Sequence, residues 1–172
     1  ASGVKGVRSI RIEPALRKAP PDGSFSVRWT GWIEAKTSGK HTFHLRADKT
    51  ARLKIDTSTL LDTAKNVRRG QDGELSTAWP LETGRRYAVQ VEYVRPKGAS
   101  DDAFCELLWT PPEGTKGPIT ADCLTSAQGA RGALTGTYYD TWQLNGAAIL
   151  QDDAQLAFTW GRRLPAVLEK AA

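Results

Sequence analysis

The sequence predicts an all-β protein, an antiparallel β-sandwich, and three observations carry that expectation. Apolar and polar residues alternate over stretch after stretch, which is the period of a half-buried strand. Turn pairs (Ser38-Gly39, Asp72-Gly73, Thr83-Gly84, Lys97-Gly98) separate these stretches at the spacing of short strands joined by tight connections. Helical periodicity is weak throughout, and only Pro165 to Ala172 reads as a terminal turn or two.

Taken in order, Ile10 and Ile12 alternate with Arg11 and Glu13, so Ser9 to Glu13 reads as a first strand. Phe25, Val27, Trp29 and Gly31 then alternate with Ser26, Arg28 and Thr30, giving one apolar face and one polar face. Trp29 belongs to the core on this pattern, whereas Trp32, of opposite parity, faces outward. Phe43, Leu45 and Ala47 repeat the alternation, followed by Ala51, Leu53 and Ile55. His41 and His44 are three apart on a strand and face opposite sides, so they cannot share one zinc ion. Tyr87, Val89, Val91 and Tyr93 make the clearest strand. Phe104 to Thr110 is stopped by Pro111-Pro112, whose missing N–H groups cannot extend a ladder, and it carries Trp109 into the core. Leu134 to Tyr139 alternates again before the Asn145-Gly146 turn signal.

At 172 residues the chain fits one domain, or one domain with a piece of another. No apolar run is long enough to cross a bilayer, and Ala1 to Lys5 lacks the apolar middle of a signal peptide. There is no methionine, so the chain reads as processed or excised, and an extracellular or cell-surface location is expected. The 24 Lys and Arg against 19 Asp and Glu give a net charge of +5, which permits an acidic partner. The basic residues come in separated pairs such as Arg85-Arg86 and Arg162-Arg163 among acids, with no recognition helix or RNA-binding motif, so no nucleic-acid partner is expected. There is no G-x-S-x-G elbow and no phosphate-cradling glycine loop, and no cofactor or catalytic residue is expected.

"FSVRWTGWIEAKTSGKHTFHLRADKTARLKID", "LLD", "LETGRRYAVQVEY", "CELLWTPP" and "GPITADCL" follow one another in the order found in the PA fourteen family, the β-sandwich domains named after the anthrax protective antigen. The chain resembles that family over residues 24 to 124. The resemblance implies a sandwich of the protective-antigen type, in a family found in adhesins, bacterial surface proteins and glycosidases, where many members bind carbohydrate. In its lectin branch two adjacent aspartates hold a calcium ion that coordinates sugar hydroxyls. The matching positions here are Asp48-Lys49, and an ammonium at the second position repels a cation. No metal is therefore expected, and Asp48 reads as a turn residue paired with Lys49 or Arg52. Asp101-Asp102 and Asp152-Asp153 read as turn formers. Trp32, Asp48 and Trp79 are the candidate ligand-binding residues, with the two tryptophans as an exposed stacking platform.

Cys105 lies on the "CELLWTPP" strand and Cys123 on the family's closing segment. In an exported protein this pair is expected to form a disulfide worth roughly 3 kcal/mol.

Family members begin with a segment like "GLTGTYYD…NG", which occurs here only in "GALTGTYYDTWQLNG", 132 to 146. The family's first strand is thus displaced to the C-terminal part. The expected organisation is a main sandwich at 1–124, a flexible linker at 125–133, and a first-strand segment at 134–172 that docks in cis or on a neighbouring copy. Leu134, Tyr138, Tyr139, Phe158 and Trp160 are its docking residues, Tyr138 and Tyr139 being alternatives because adjacent strand residues face opposite sides. Ser9 to Glu13 and Leu156 to Trp160 look like two copies of one strand, a surplus that favours a tandem array or a polymer in which one copy's C-terminal segment docks on the next. The function expected is a non-catalytic extracellular surface or fibre unit assembling head-to-tail with copies of itself. The alternative is a carbohydrate-binding, lectin-like or adhesin-like module attached to a larger surface protein or glycosidase.

Overall fold

Each long strand buries one parity of its side chains, and two such half-apolar layers must stack on each other to leave water. The computed structural model describes residues 10–11, 23–65, 73–99 and 101–170, and of residues 10–11 the backbone pairing alone. In chain order the strands are β1 (Ile10–Arg11), β2 (Phe25–Glu34), β3 (Gly39–Ala47), β4 (Thr50–Ile55), β5 (Ser58–Asp62), β6 (Leu75–Leu81), β7 (Arg86–Arg95), β8 (Ala103–Thr110), β9 (Gly117–Pro118), β10 (Leu124–Ser126), β11 (Leu134–Tyr139), β12 (Ala148–Asp153) and β13 (Ala157–Gly161). A 3-10 turn at Ala121–Cys123 precedes β10, and a short helix α1 (Ala166–Glu169) follows β13.

The first sheet runs β1-β12-β11-β2-β7-β4-β5, with β10 beside β2, and the second runs β13-β8-β3-β6, with β9 beside β8. Every pairing is antiparallel. The fold is the predicted all-β sandwich. The displaced segment supplies both layers: β11 lies between β2 and β12 in the first sheet, and β13 forms an edge of the second. The two strands that looked like copies therefore occupy different slots. Ile10–Arg11 pairs with β12, while Ala157–Gly161 pairs with β8; the remainder of 9–13 lies outside the described residues.

Trp29 is wholly buried at the centre of the core. Phe158 of β13 stacks on it at 5.4 Å, and Trp160 lies edge-on to Phe25 at 5.1 Å, so the second sheet's edge strand covers the inner face of β2. His41 is buried with its ring 4.9 Å from Trp109. His44 faces the other way, between Glu74 and Thr110, as strand parity requires.

Residues 125–133, expected as a flexible linker, are a closed turn. Ser126 N–H donates to Ala130 O at 2.8 Å, Gly129 N–H to Ser126 O at 2.9 Å and Gly132 N–H to Leu124 O at 2.9 Å, and Ser126 Oγ accepts from Ala130 N–H at 3.0 Å. The turn returns the chain to β2 where only glycine fits. A Cβ on Gly31 would lie 2.3 Å from Thr125 O and 2.7 Å from Leu134 Cδ2. The first of these is backbone and cannot rotate away. Gly31→Ala is expected to destabilise the fold by about 2–3 kcal/mol through this overpacking, measured by urea denaturation; a wild-type midpoint would contradict it.

Candidate functional site

The position that corresponds to a calcium site in the lectin branch is closed by the protein's own groups. Asp48 sits at the turn from β3 to β4, where the chain crosses from the second sheet to the first. Its Oδ1 accepts from Tyr93 OH at 2.8 Å, on β7, and from Phe104 N–H at 3.0 Å, on β8. Its Oδ2 lies 3.4 Å from Arg95 Nη1, and both side chains are only 5% exposed. Arg95 Nη2 also donates to the carbonyls of Ala99 and Asp101. Asp48 is therefore a buried staple between the two sheets rather than a simple turn residue. Its ionic partner is Arg95 and not Lys49 or Arg52, because β7 brings residue 95 alongside while those two side chains point elsewhere. Lys49 pairs with Asp101 at 2.7 Å, and its hydrogen bond holds the Asp101 carboxyl below the usual range; Arg52 pairs with Asp62 at 3.1 Å. Burial first, then the Asp48 carboxylate, pushes the Tyr93 hydroxyl well above the usual phenol range. A cation here would have to displace a buried guanidinium.

Of the two aromatic candidates, Trp32 is half-buried on the outer face of the first sheet, with the Arg86 guanidinium 4.7 Å from its ring centre. It walls a groove of about 220 Å³ with Thr30, Lys54, Asp56 and Gln90. A separate cleft of about 480 Å³ is lined by Glu34, Lys36, Arg86, Asp122, Thr125 and Arg131. Trp79 is not part of this platform. It shares parity with the buried Leu75 and Leu81, so it turns inward and packs against the core. The Pro80 that follows it is tolerated because β6 is an edge strand.

The displaced strand is held by a buried polar network. Leu134 and Tyr138 point into the core, whereas Tyr139 faces out, its hydroxyl 3.4 Å from Arg28 Nη1. Tyr138 OH and Trp29 Nε1–H both donate to Asp153 Oδ2, at 2.5 and 2.9 Å, and Gln151 Nε2 donates to Oδ1 at 2.8 Å. Gly136 leaves the room: a Cβ there would lie 2.6 Å from Tyr138 Cε2 and 2.7 Å from Asp153 Oδ2. Burial raises the pKa of Asp153 despite its three donors. Asp152, on the outer face, accepts from Thr135 Oγ1 at 2.8 Å and from Gln128 Nε2 at 3.1 Å. Asp152 and Asp153 are thus the end of β12, not turn formers. Their partners, up to 124 residues away in the chain, gave no local signal.

Cys105 and Cys123 are free, buried thiols, and the expected disulfide is not formed. Cys105 pairs with Ala47, beside the Asp48 staple, whose partner Tyr93 is opposite Val27. Cys123 directly precedes Leu124, which is opposite Ile33. At about 3.3 Å per strand residue the two thiols lie near opposite ends of the sandwich, far beyond the roughly 7 Å Cα limit for a bridge. Burial raises both thiol pKa values. The native protein is therefore expected to resist alkylation at both positions and to be labelled at both once unfolded without reductant. Mass spectrometry showing no label on the unfolded chain would restore the bridge.

Among the described residues no helix is long and apolar enough to cross a membrane. The chain is 36% identical over 89 residues to the anti-sigma-I factor RsgI3 of Acetivibrio thermocellus, an alignment covering 52% of this chain and 13% of that protein. It is 27% identical over 111 residues to the protective antigen of Bacillus anthracis, covering 63% of this chain and again 13% of the relative. The chain thus spans about an eighth of the length of these relatives. A solved structure, an anti-sigma factor domain-containing protein from Clostridium clariflavum, superposes with a TM-score of 0.51 at 23% identity, covering 84% of this chain and 51% of that one, and shares its fold. The model of the PA14 domain matches residues 12–122, well over half of the sequence, and the chain belongs to the PA14 domain family.

Proposed function

We propose that this chain is a non-catalytic module of a longer exported protein, an architectural unit of the cell surface rather than a calcium-dependent lectin. One observation carries the reading: the Asp48 carboxylate is consumed by Tyr93, Arg95 and Phe104, which leaves the family's cation position with a structural task. The small share of each relative that the alignments cover supports a module within a longer chain. The unit completes its own sandwich. Exchange of the 134–161 segment between copies, the head-to-tail assembly that the sequence also allows, would use the same β11–β2 pairs but would first have to break the hydrogen bonds of the 125–133 turn. A domain-swapped fibre thus pays for opening a closed turn before it gains any new contact.

Two measurements test this. Light scattering is expected to give a monomer mass at every protein concentration, and a mass that rises with concentration and depends on the 134–161 segment would establish exchange. Added calcium is expected to leave the melting temperature where chelator leaves it, because only a ligand that binds the folded state raises it. A rise with calcium that chelator reverses would sink the architectural reading in favour of the lectin one. A second reading, calcium-independent carbohydrate recognition, is favoured by the half-exposed indole of Trp32 in its groove.

A further inference from the structure

Asn145 and Gly146 lie in the 140–147 connection between β11 and β12. Ser26, wholly buried on β2, fixes the first half of that connection. Its Oγ donates to Thr141 O at 2.6 Å and accepts from Leu144 N–H at 3.0 Å. Asn145 and Gly146 come just after the second of these bonds, and both are exposed.

We propose that Asn145 is a covalent modification site of the folded protein, at which the neighbouring backbone displaces the side-chain amide with the help of the Thr141 hydroxyl. The Gly146 nitrogen gives its proton to solvent base and attacks Asn145 Cγ. The N–Cγ bond forms, the Cγ–Nδ2 bond breaks, and the amide nitrogen takes a proton from solvent and leaves as ammonia. Water then opens the resulting cyclic imide at one of its two carbonyls. Opening at Cγ leaves an aspartate, and opening at the backbone carbonyl leaves an isoaspartate, whose main chain runs through Cβ and Cγ. Water is consumed and ammonia released, with no change of oxidation state.

The nucleophile is available. Among the described residues the Gly146 N–H has no hydrogen-bond partner. Gly146 holds a left-handed φ of 92°, a conformation that favours glycine, so no Cβ shields the nitrogen. A Cβ built there would meet nothing within 4 Å.

Thr141 activates both reacting groups. Its Oγ1 donates at 2.9 Å to Asn145 O, the carbonyl of the same peptide whose nitrogen attacks. A hydrogen bond to that oxygen draws charge out of the peptide and makes its N–H more acidic. The same Oγ1 lies 3.5 Å from Asn145 Oδ1, within reach of the oxygen on which negative charge develops when Cγ is attacked. Asn66, the other asparagine in the sequence, precedes Val67, whose branched side chain crowds the attacking nitrogen.

The product differs in charge and in chain length. The new carboxylate lowers the formal charge of +5 by one. An isoaspartate adds one main-chain atom close to Trp142, which is 40% exposed. Because β11 and β12 pair from Tyr139 and Ala148 inward and Ser26 holds residues 141 and 144, the extra atom falls in 145–147 and the sandwich is expected to stay folded.

The test is to age the folded 172-residue chain in neutral and mildly alkaline buffer made with heavy-oxygen water, followed by ion exchange and peptide mapping. A more acidic species is expected, with heavy oxygen in the peptide containing position 145, and it should form faster at the higher pH. Thr141→Val is expected to slow its appearance by about two- to tenfold, the kinetic equivalent of one hydrogen bond, and Thr141→Ser to restore it. Asn145→Gln, whose ring would be larger, is expected to stay unmodified. Melting temperatures of all three variants check that the fold is kept. A folded chain that keeps its amide while the urea-unfolded chain loses it would show that the fold protects Asn145, and would overturn the proposal. Equal rates in wild type and Thr141→Val would also overturn it, by making the reaction a property of the Asn-Gly pair alone.

Discussion

Removing residues 134–172 is expected to abolish cooperative folding. The truncation deletes β11, β12 and β13 and opens one edge of β2 along Ser26 to Thr30, leaving a row of unpaired backbone groups beside the core. It takes away Leu134, Tyr138, Ile149, Leu156 and Leu168, all buried, and strips the aromatic cover from Trp29, Phe25 and Tyr93. Each buried large side chain contributes about 1.5–3 kcal/mol, so the loss is of the same order as the whole stability of a domain, about 5–15 kcal/mol. A synthetic peptide of residues 132–170 added in trans is expected to restore a cooperative thermal transition followed by near-ultraviolet circular dichroism. A truncated chain that melts cooperatively at the wild-type temperature would show that the segment is dispensable.

Asp153→Ala is expected to destabilise the protein by about 3–5 kcal/mol, because it leaves the Trp29 indole N–H and the Tyr138 hydroxyl buried without an acceptor, at about 1–3 kcal/mol each, and adds a small void. Asp153→Asn is the informative companion. Its amide oxygen can still accept from Trp29 and Tyr138, and it cannot ionise. Burial raises the folded-state pKa of Asp153 above its unfolded value, so the folded protein holds that proton more tightly. The associated stability is fully present below the unfolded carboxyl range, near about 4, and is lost as pH rises through the folded-state pKa. The stability of Asp153→Asn relative to wild type is therefore expected to improve from acid to neutral pH, measured as the difference in denaturation midpoints. A difference that does not change with pH would mean that Asp153 ionises in the folded protein as readily as in the unfolded one.

Alternation within a strand was the part of this fold most legible in the sequence. Tyr87, Val89, Val91 and Tyr93 alternate without interruption and all face the core, and Trp29 and Trp109 are buried as their parity requires. Contacts between distant strands were not legible. Whether Tyr138 or Tyr139 enters the core depends on the register that places Tyr138 opposite Val27, which nothing within β11 specifies. The charges nearest Asp48 in the sequence are not its partners; an antiparallel neighbour supplies Arg95 from 47 positions away. β12 is not legible in AILQDD, which is short and ends in two acids, each of which serves a different face of the sheet. The cysteine pairing rested on number and compartment, and neither carries distance.

The place of β11 has a kinetic consequence. Thr135 pairs with Thr30, so a strand near the middle of the first sheet is joined to its neighbour through more than a hundred residues of chain. Such non-local pairing delays the rate-limiting step, and sheets dominated by it fold in milliseconds to seconds rather than microseconds. A ribosome adds roughly 5–20 residues per second, so the growing chain holds Trp29 and the bare edge of β2 for several seconds before their partners exist. The half-made sandwich is thus its own main aggregation hazard. A chaperone that masks extended apolar segments, or a neighbouring copy's β11 offered too early, would meet the chain in that interval.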